Sequence, residues 1–211
     1  GDGVLCHCPQ LVSADLSACM SLRRIGHGAF ASCKRLATAT FPPSLEGLGH
    51  GSSVIGGAFA KCSMLVAVDL GRCEKLRRIG NGAFSRCRVL ATFVAPPNVE
   101  AVGDGVLCHC PQLVSADLSA CMSLRRIGHG AFASCKRLAT ATFPPSLEGL
   151  GHGSSVIGGA FAKCSMLVAV DLGRCEKLRR IGNGAFSRCR VLATFVAPPN
   201  VEAVGDGVLC H

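Results

Sequence analysis

One feature dominates this chain: residues 1–102 recur without a single change as 103–204, and Gly205 to His211 begin the same text again. A period this exact makes the fold a matter of stacking like units. Inside it lies a shorter, diverged period marked by Cys8, Cys33, Cys62, Cys87 and Cys110, with steps of 25, 29, 25 and 23 residues. A unit that short cannot bury its own apolar face, so successive units must pack on one another as a solenoid. About eight coils fit the chain, near 8–32, 33–61, 62–86, 87–109, 110–134, 135–163, 164–188 and 189–211. The expected architecture is a mainly β repeat solenoid over 1–211, one continuous body of short parallel strands joined by turns and short helical turns.

Each step has one grammar: a Cys, then L-x-x-φ-x-φ, a turn, then φ-x-x-φ-G, then usually G-A-F-x-x-C. The first reads Leu11, Ala14, Leu16, then Leu22, Ile25, Gly26, Gly28-Ala29-Phe30 and Cys33. Alternation in Leu11 to Leu16 and Leu65 to Leu70 argues short strands, and Pro42-Pro43, Pro96-Pro97 and the G-x-G triplets argue turns. The pattern resembles the BspA-like leucine-rich repeat family along the whole chain. Departures are Val4-Leu5 in place of Ala-Phe, Ala95 at an apolar strand position, and the longer stretch from Leu48 to Ile55. The resemblance implies a curved right-handed stack and interaction roles at cell surfaces, with no catalytic residues. A chain so rich in thiols that stay reduced would fit a protected intracellular setting equally well.

In-register stacking sets equivalent residues of successive coils about 4.8 Å apart, so aligned positions become columns. One column runs Arg23, Glu46, Arg77, Glu100, Arg125, Glu148, Arg179, Glu202 and alternates sign at every coil. It reads as a surface ion ladder that controls register. The next runs Arg24, Gly47, Arg78, Ala101, with its arginines two coils apart.

The chain carries 22 Lys and Arg against 13 Asp and Glu, a formal +9. In each 102-residue unit, six of the eleven basic residues are matched in number by six acids. The other five, Lys34, Arg35, Lys61, Arg86 and Arg88, lie within two residues of a ladder Cys and recur as Lys136, Arg137, Lys163, Arg188 and Arg190. This basic edge would attract a polyanion such as an acidic polysaccharide, or it would serve as a solvated edge that prevents lateral sticking. Nucleic acid is disfavoured, because Phe outside G-A-F is confined to Phe41, Phe93 and their copies, leaving few rings to stack bases.

The ladder cysteines face one way, with Cβ atoms near the coil spacing and beyond disulfide reach, so they read as buried thiols. Cys19 and Cys73 share a column two coils apart. Cys6, repeated as Cys108 and Cys210, replaces Ala31, Ala60 and Ser85 at a position expected to be exposed, where it would cross-link neighbouring rods or stand as a tolerated surface thiol. Cys6-His7-Cys8 resembles a metal knuckle, but paired zinc ligands usually stand two to four residues apart and need a second pair nearby, so no metal is assigned. His27 and His50 occupy G-x-G turns where Asn81 and Asp2 are the counterparts. The triplets lack the strand-to-long-helix setting that cradles phosphate, so no cofactor is implied.

Every candidate nucleophile belongs to a repeated column, which argues against a pocket enzyme with a small-molecule substrate. Both ends break mid-repeat and in phase. The leading expectation is therefore a non-enzymatic structural protein, a segment of a long tandem array that self-associates end to end into a filament with a four-coil repeat of roughly 19 Å. The alternative is a cell-surface binding module or adhesin that recognises a protein or polyanion through the basic edge.

Overall fold

The computed structural model describes residues 1–50, 56–152 and 158–210, the side chains of His50 and His152 excepted. Residues 51–55 thus lie outside the described residues, while Gly49 and the backbone of His50, expected in a turn, belong to a strand. Strands come in two kinds, the first two or three residues long and the second two to four. The first kind carries L-x-x-φ-x-φ: β1 (Ser13–Asp15), β3 (Thr38–Thr40), β5 (Ala67–Val68), β7 (Thr92–Val94), β9 (Ser115–Asp117), β11 (Thr140–Thr142), β13 (Ala169–Asp171) and β15 (Thr194–Val196). The second carries φ-x-x-φ-G: β2 (Arg24–Gly26), β4 (Gly47–His50), β6 (Arg78–Ile79), β8 (Ala101–Val102), β10 (Arg126–Gly128), β12 (Gly149–His152), β14 (Arg180–Ile181) and β16 (Ala203–Val204).

All pairings are parallel. The second set forms one eight-stranded sheet along the whole stack, and the first set forms three shorter sheets, β1-β3-β5, β7-β9-β11 and β13-β15. The strands are short because local chemistry stops them. The Asp15 carboxylate accepts the Ser17 N–H and closes β1 in an Asx turn, as Asp69 does for Gly71. Pro42-Pro43 follows β3 and supplies no N–H to continue a ladder.

Two details correct the sequence reading. The stack makes about seven turns rather than eight coils: the eight strands of the long sheet are separated by seven full circuits, and the segment from Cys189 onward does not close another. There are also no short helical turns among the described residues. In Gly28 to Cys33 alternate N–H groups go to different partners. Those of Phe30 and Ser32 donate to Ala58 and Ala60 of the next coil (2.7 Å each), while those of Ala31 and Cys33 donate back within the turn to Gly28 and Phe30. A helix would need all of them internally. The residue before every ladder Cys is also left-handed, with φ from 57° to 63° at His7, Ser32, Lys61, Arg86, His109, Ser134, Lys163 and Arg188.

The core is a set of columns. Phe30, Phe59 and Phe84 stack with centroids 4.8 and 5.7 Å apart, close to one coil step, and Phe41 meets Phe59 edge-on at 5.6 Å. Phe41, Phe93 and Phe143 are thus buried core rings too. At the next coil Val106 and Leu107 take the place of Ala-Phe and are fully buried, and Ala95 is buried as well. The departures from the motif are accommodated inside the stack.

Candidate functional site

The left-handed residue before each ladder Cys decides which side chains reach the surface. In Cys108-His109-Cys110 the positive φ of His109 turns its side chain outward, while Cys108 and Cys110 are both buried. The expectation of an exposed column holds at Cys6 and Cys210 and fails at Cys108. Cys108 packs with Ala133 and Ala162 in a small satellite cluster, whereas the other two members of its column lie in the first and last coils. The strand-like alternation assumed for this segment fails because the segment is a turn. With both thiols inward and the imidazole outward, the three do not converge; among the described residues no group of three or more His, Cys, Asp or Glu is arranged to hold a metal ion.

The same geometry gathers the basic edge. Arg86, Arg88, Lys136 and Lys163, from three coils, line one open groove of about 580 Å³ with His109, Pro111 and Ser134. No carboxylate lines it. Partial desolvation in the groove, with Arg86 and Lys163 nearby, lowers the His109 pKa below its ordinary value. Arg35 and Arg137 are held instead by Gln10 and Gln112, to which each guanidinium donates at 2.6 Å. Lys34, Lys61, Arg188 and Arg190 are exposed in other coils of the same edge.

The charge column resolves into four separate pairs rather than a continuous ladder. Arg23–Glu46, Arg77–Glu100, Arg125–Glu148 and Arg179–Glu202 meet at 3.4 to 3.8 Å, each Arg reaching the Glu of the next coil. Each Glu pairs with the Arg of the coil before it, and among the described residues none pairs with the Arg of the coil after it. Such half-exposed pairs contribute at most about 1 kcal/mol each.

Matching acids to bases by number also conceals a feature. Asp2, Asp15 and Asp69 are engaged in turns: Asp2 accepts the His27 N–H, Asp15 those of Ser17 and the Thr40 hydroxyl, and Asp69 that of Gly71. They neutralise no base. Arg24, Arg78, Arg126 and Arg180 accordingly make no ion pair among the described residues, although each stands exposed on the long sheet. The sequence signal was their spacing at every second coil; only contacts show that they are unpaired.

The ladder thiols gain a role beyond filling space. Each donates to the backbone one coil earlier: Cys62 to the Phe30 carbonyl (3.1 Å), Cys87 to Phe59 (3.3 Å), Cys110 to Phe84 (3.2 Å) and Cys135 to Leu107 (3.1 Å). The Cys19 column bonds the proline coil between its members, Cys73 to the Pro42 carbonyl (3.8 Å) and Cys121 to Pro96 (3.3 Å). Burial pushes these thiols up, to about 12 for Cys62 and Cys135 and about 11 for Cys73, Cys108, Cys121, Cys175 and Cys189.

Six copies of a BspA type leucine rich repeat region match residues 1–52, 52–155 and 153–211. The chain belongs to the BspA-type leucine-rich repeat family. No curated protein matches it. Among solved structures, this BspA-type chain is similar to the leucine-rich repeat protein TpLRR of T. pallidum, at 25% identity and a TM-score of 0.66 over 92% of this chain and 73% of that one. It also resembles the pneumococcal vaccine antigen PcpA, at 18% identity and a TM-score of 0.51 over 93% of this chain and 55% of that one. The family and fold are those of repeat proteins.

Proposed function

We propose that this BspA-type chain is a non-enzymatic surface binding module that holds a polyanionic partner along its basic edge. The observation that carries the reading is the groove in which Arg86, Arg88, Lys136 and Lys163 converge with no carboxylate between them. Convergent cations raise the local concentration of an anionic partner and speed its capture. The backbone adds support. Arg86 and Lys163 occupy left-handed positions, where an L side chain costs roughly 1 kcal/mol and Asn or Gly costs less. The same left-handed turn recurs before every ladder Cys and sends these side chains out along one edge. An extracellular or cell-surface location belongs to the same proposal. The test is retention on immobilised heparin across a salt series for the parent and for Arg86→Glu/Lys163→Glu. The parent should elute at markedly higher salt, and equal elution would refute the reading.

A second reading, end-to-end self-association, is favoured by a comparison between identical coils. Val4 and Leu5 are 67% and 39% exposed, whereas their copies Val106 and Leu107 are fully buried beneath the preceding coil. Val4, Leu5, Leu16, Leu22 and Phe30 line an apolar hollow of about 170 Å³ at this coil, shaped like the seat that the preceding coil fills in the second unit. A second copy presenting its last coil in the same register would fill it. Electron micrographs showing filaments with a repeat near 19 Å would support this. Discrete rods at every concentration and salt would refute it.

A further inference from the structure

The long sheet carries a second row of exposed cations, distinct from the basic edge. In its register Arg126 pairs with Ala101 on one side and Gly149 on the other, and Gly149 pairs in turn with Arg180. Arg24, Gly47 and Arg78 repeat the arrangement in the first unit. Exposed arginines without ion-pair partners therefore stand at every second coil, and between them the strand has no side chain or only a methyl. The result is an open trough of about 460 Å³ with Arg126 and Arg180 as walls, Gly149 as floor, and Arg179, Glu148 and Glu202 along its flank.

The spacing selects the ligand. Arginines two coils apart lie about 9.5 Å apart along the sheet. An extended acidic peptide presents side chains on one face every ~6.8 Å and falls out of register within two residues. A nucleic acid duplex, with one charge per ~1.7 Å of axis, is far denser. An extended polysaccharide advances by close to one coil step per sugar. An acid on every second sugar then meets an arginine each time, and the uncharged sugar between lies over Gly149 or Ala101. Glu148 and Glu202 beside the trough accept hydroxyl hydrogen bonds from such a chain but repel one with an acid on every sugar.

We propose that the arginine row of the eight-stranded sheet binds a linear acidic polysaccharide whose charge falls on alternate sugars. It shares with the basic-edge reading only the class of partner, not the site.

The probes are hyaluronan oligosaccharides, with one carboxylate per disaccharide, against polygalacturonate, with one per sugar, and polyglutamate, read by calorimetry on the full chain. Arg24→Ser/Arg78→Ser/Arg126→Ser/Arg180→Ser should weaken hyaluronan binding by at least about tenfold. Gly47→Gln/Gly149→Gln, which obstructs the trough and leaves every charge in place, should weaken it too. These measurements are made on the edge variant Arg86→Glu/Lys163→Glu, so that polyanion held by the basic edge does not contribute, and heparin retention of the parent tests that edge separately. The proposal is overturned if hyaluronan does not bind, if the arginine or glycine variants bind it as the parent does, or if polyglutamate or polygalacturonate binds more tightly at equal carboxylate concentration.

Discussion

Cys6 and Cys108 stand in identical sequence, as do Cys19 and Cys121, yet the stack exposes the first of each pair and buries the second. Alkylation by iodoacetamide at pH 8 reads this difference directly. A thiol at the ordinary value of 9.0 is roughly a tenth ionised at that pH; Cys108 and Cys121, each pushed to about 11, carry about a hundredfold less thiolate. The more basic thiolate is the better nucleophile and recovers somewhat under tenfold, so ionisation alone slows them about tenfold or more. Access slows them further, because a buried sulfur reacts only when the stack opens locally. Trypsin separates the copies despite their identity, since Cys6, Cys8 and Cys19 lie in the peptide 1–23 and Cys108, Cys110 and Cys121 in 89–125. Mass spectrometry over a time course should show Cys6, Cys19 and Cys210 modified well before any buried thiol. Equal rates at Cys6 and Cys108 would refute the reasoning that the neighbouring coil, not the local sequence, sets the environment. The same experiment at high protein concentration tests end-to-end contact, which would shield Cys6 and Cys19.

Phe59→Ala should cost about 3–5 kcal/mol, seen as a lower urea midpoint, because Phe59 is fully buried between Phe30 and Phe84 with Phe41 at its edge; a loss under 1 kcal/mol would deny the column that role. Stability should fall in alkali. The buried thiols have raised folded values, so their contribution is complete below about 9 and is lost as pH rises towards 11 or 12, by about 1.4 kcal/mol per pH unit for each thiol, and a urea midpoint unchanged from pH 8 to 10.5 would contradict this. Arg86→Asn should gain about 0.5 kcal/mol by easing the left-handed backbone while lowering heparin retention, and unchanged retention would remove Arg86 from the groove's function.

The stacked architecture was legible in the sequence because a repeat turns a single motif into a column. The Cys, Leu and G-A-F positions fall on the same face in every coil, and their burial follows from that alignment. The helical turns were misread because G-A-F-x-x-C has the length of a helical turn, and its chain of single letters does not show that alternate N–H groups go to the next coil. Cys108 was misread for a related reason: alternation assigns sides only in a strand, and the left-handed His109 reverses the assignment. The basic edge was legible as a list of residues. That Arg86, Arg88, Lys136 and Lys163 share one groove while Arg35 and Arg137 are tied to glutamines depended on side-chain reach.

Whatever repeats is therefore readable from the order of residues alone: the period, the parallel register, the identity of each column and the family. How neighbouring columns share partners emerges only in the folded stack. Two identical cysteines differ in burial because one has a coil on each side and the other on one side. The six acids of each unit leave Arg24, Arg78, Arg126 and Arg180 without an ion pair among the described residues, because turns claim Asp2, Asp15 and Asp69. Burial and pairing are properties of neighbours in space, and a one-dimensional pattern names those neighbours without saying which of them an atom reaches.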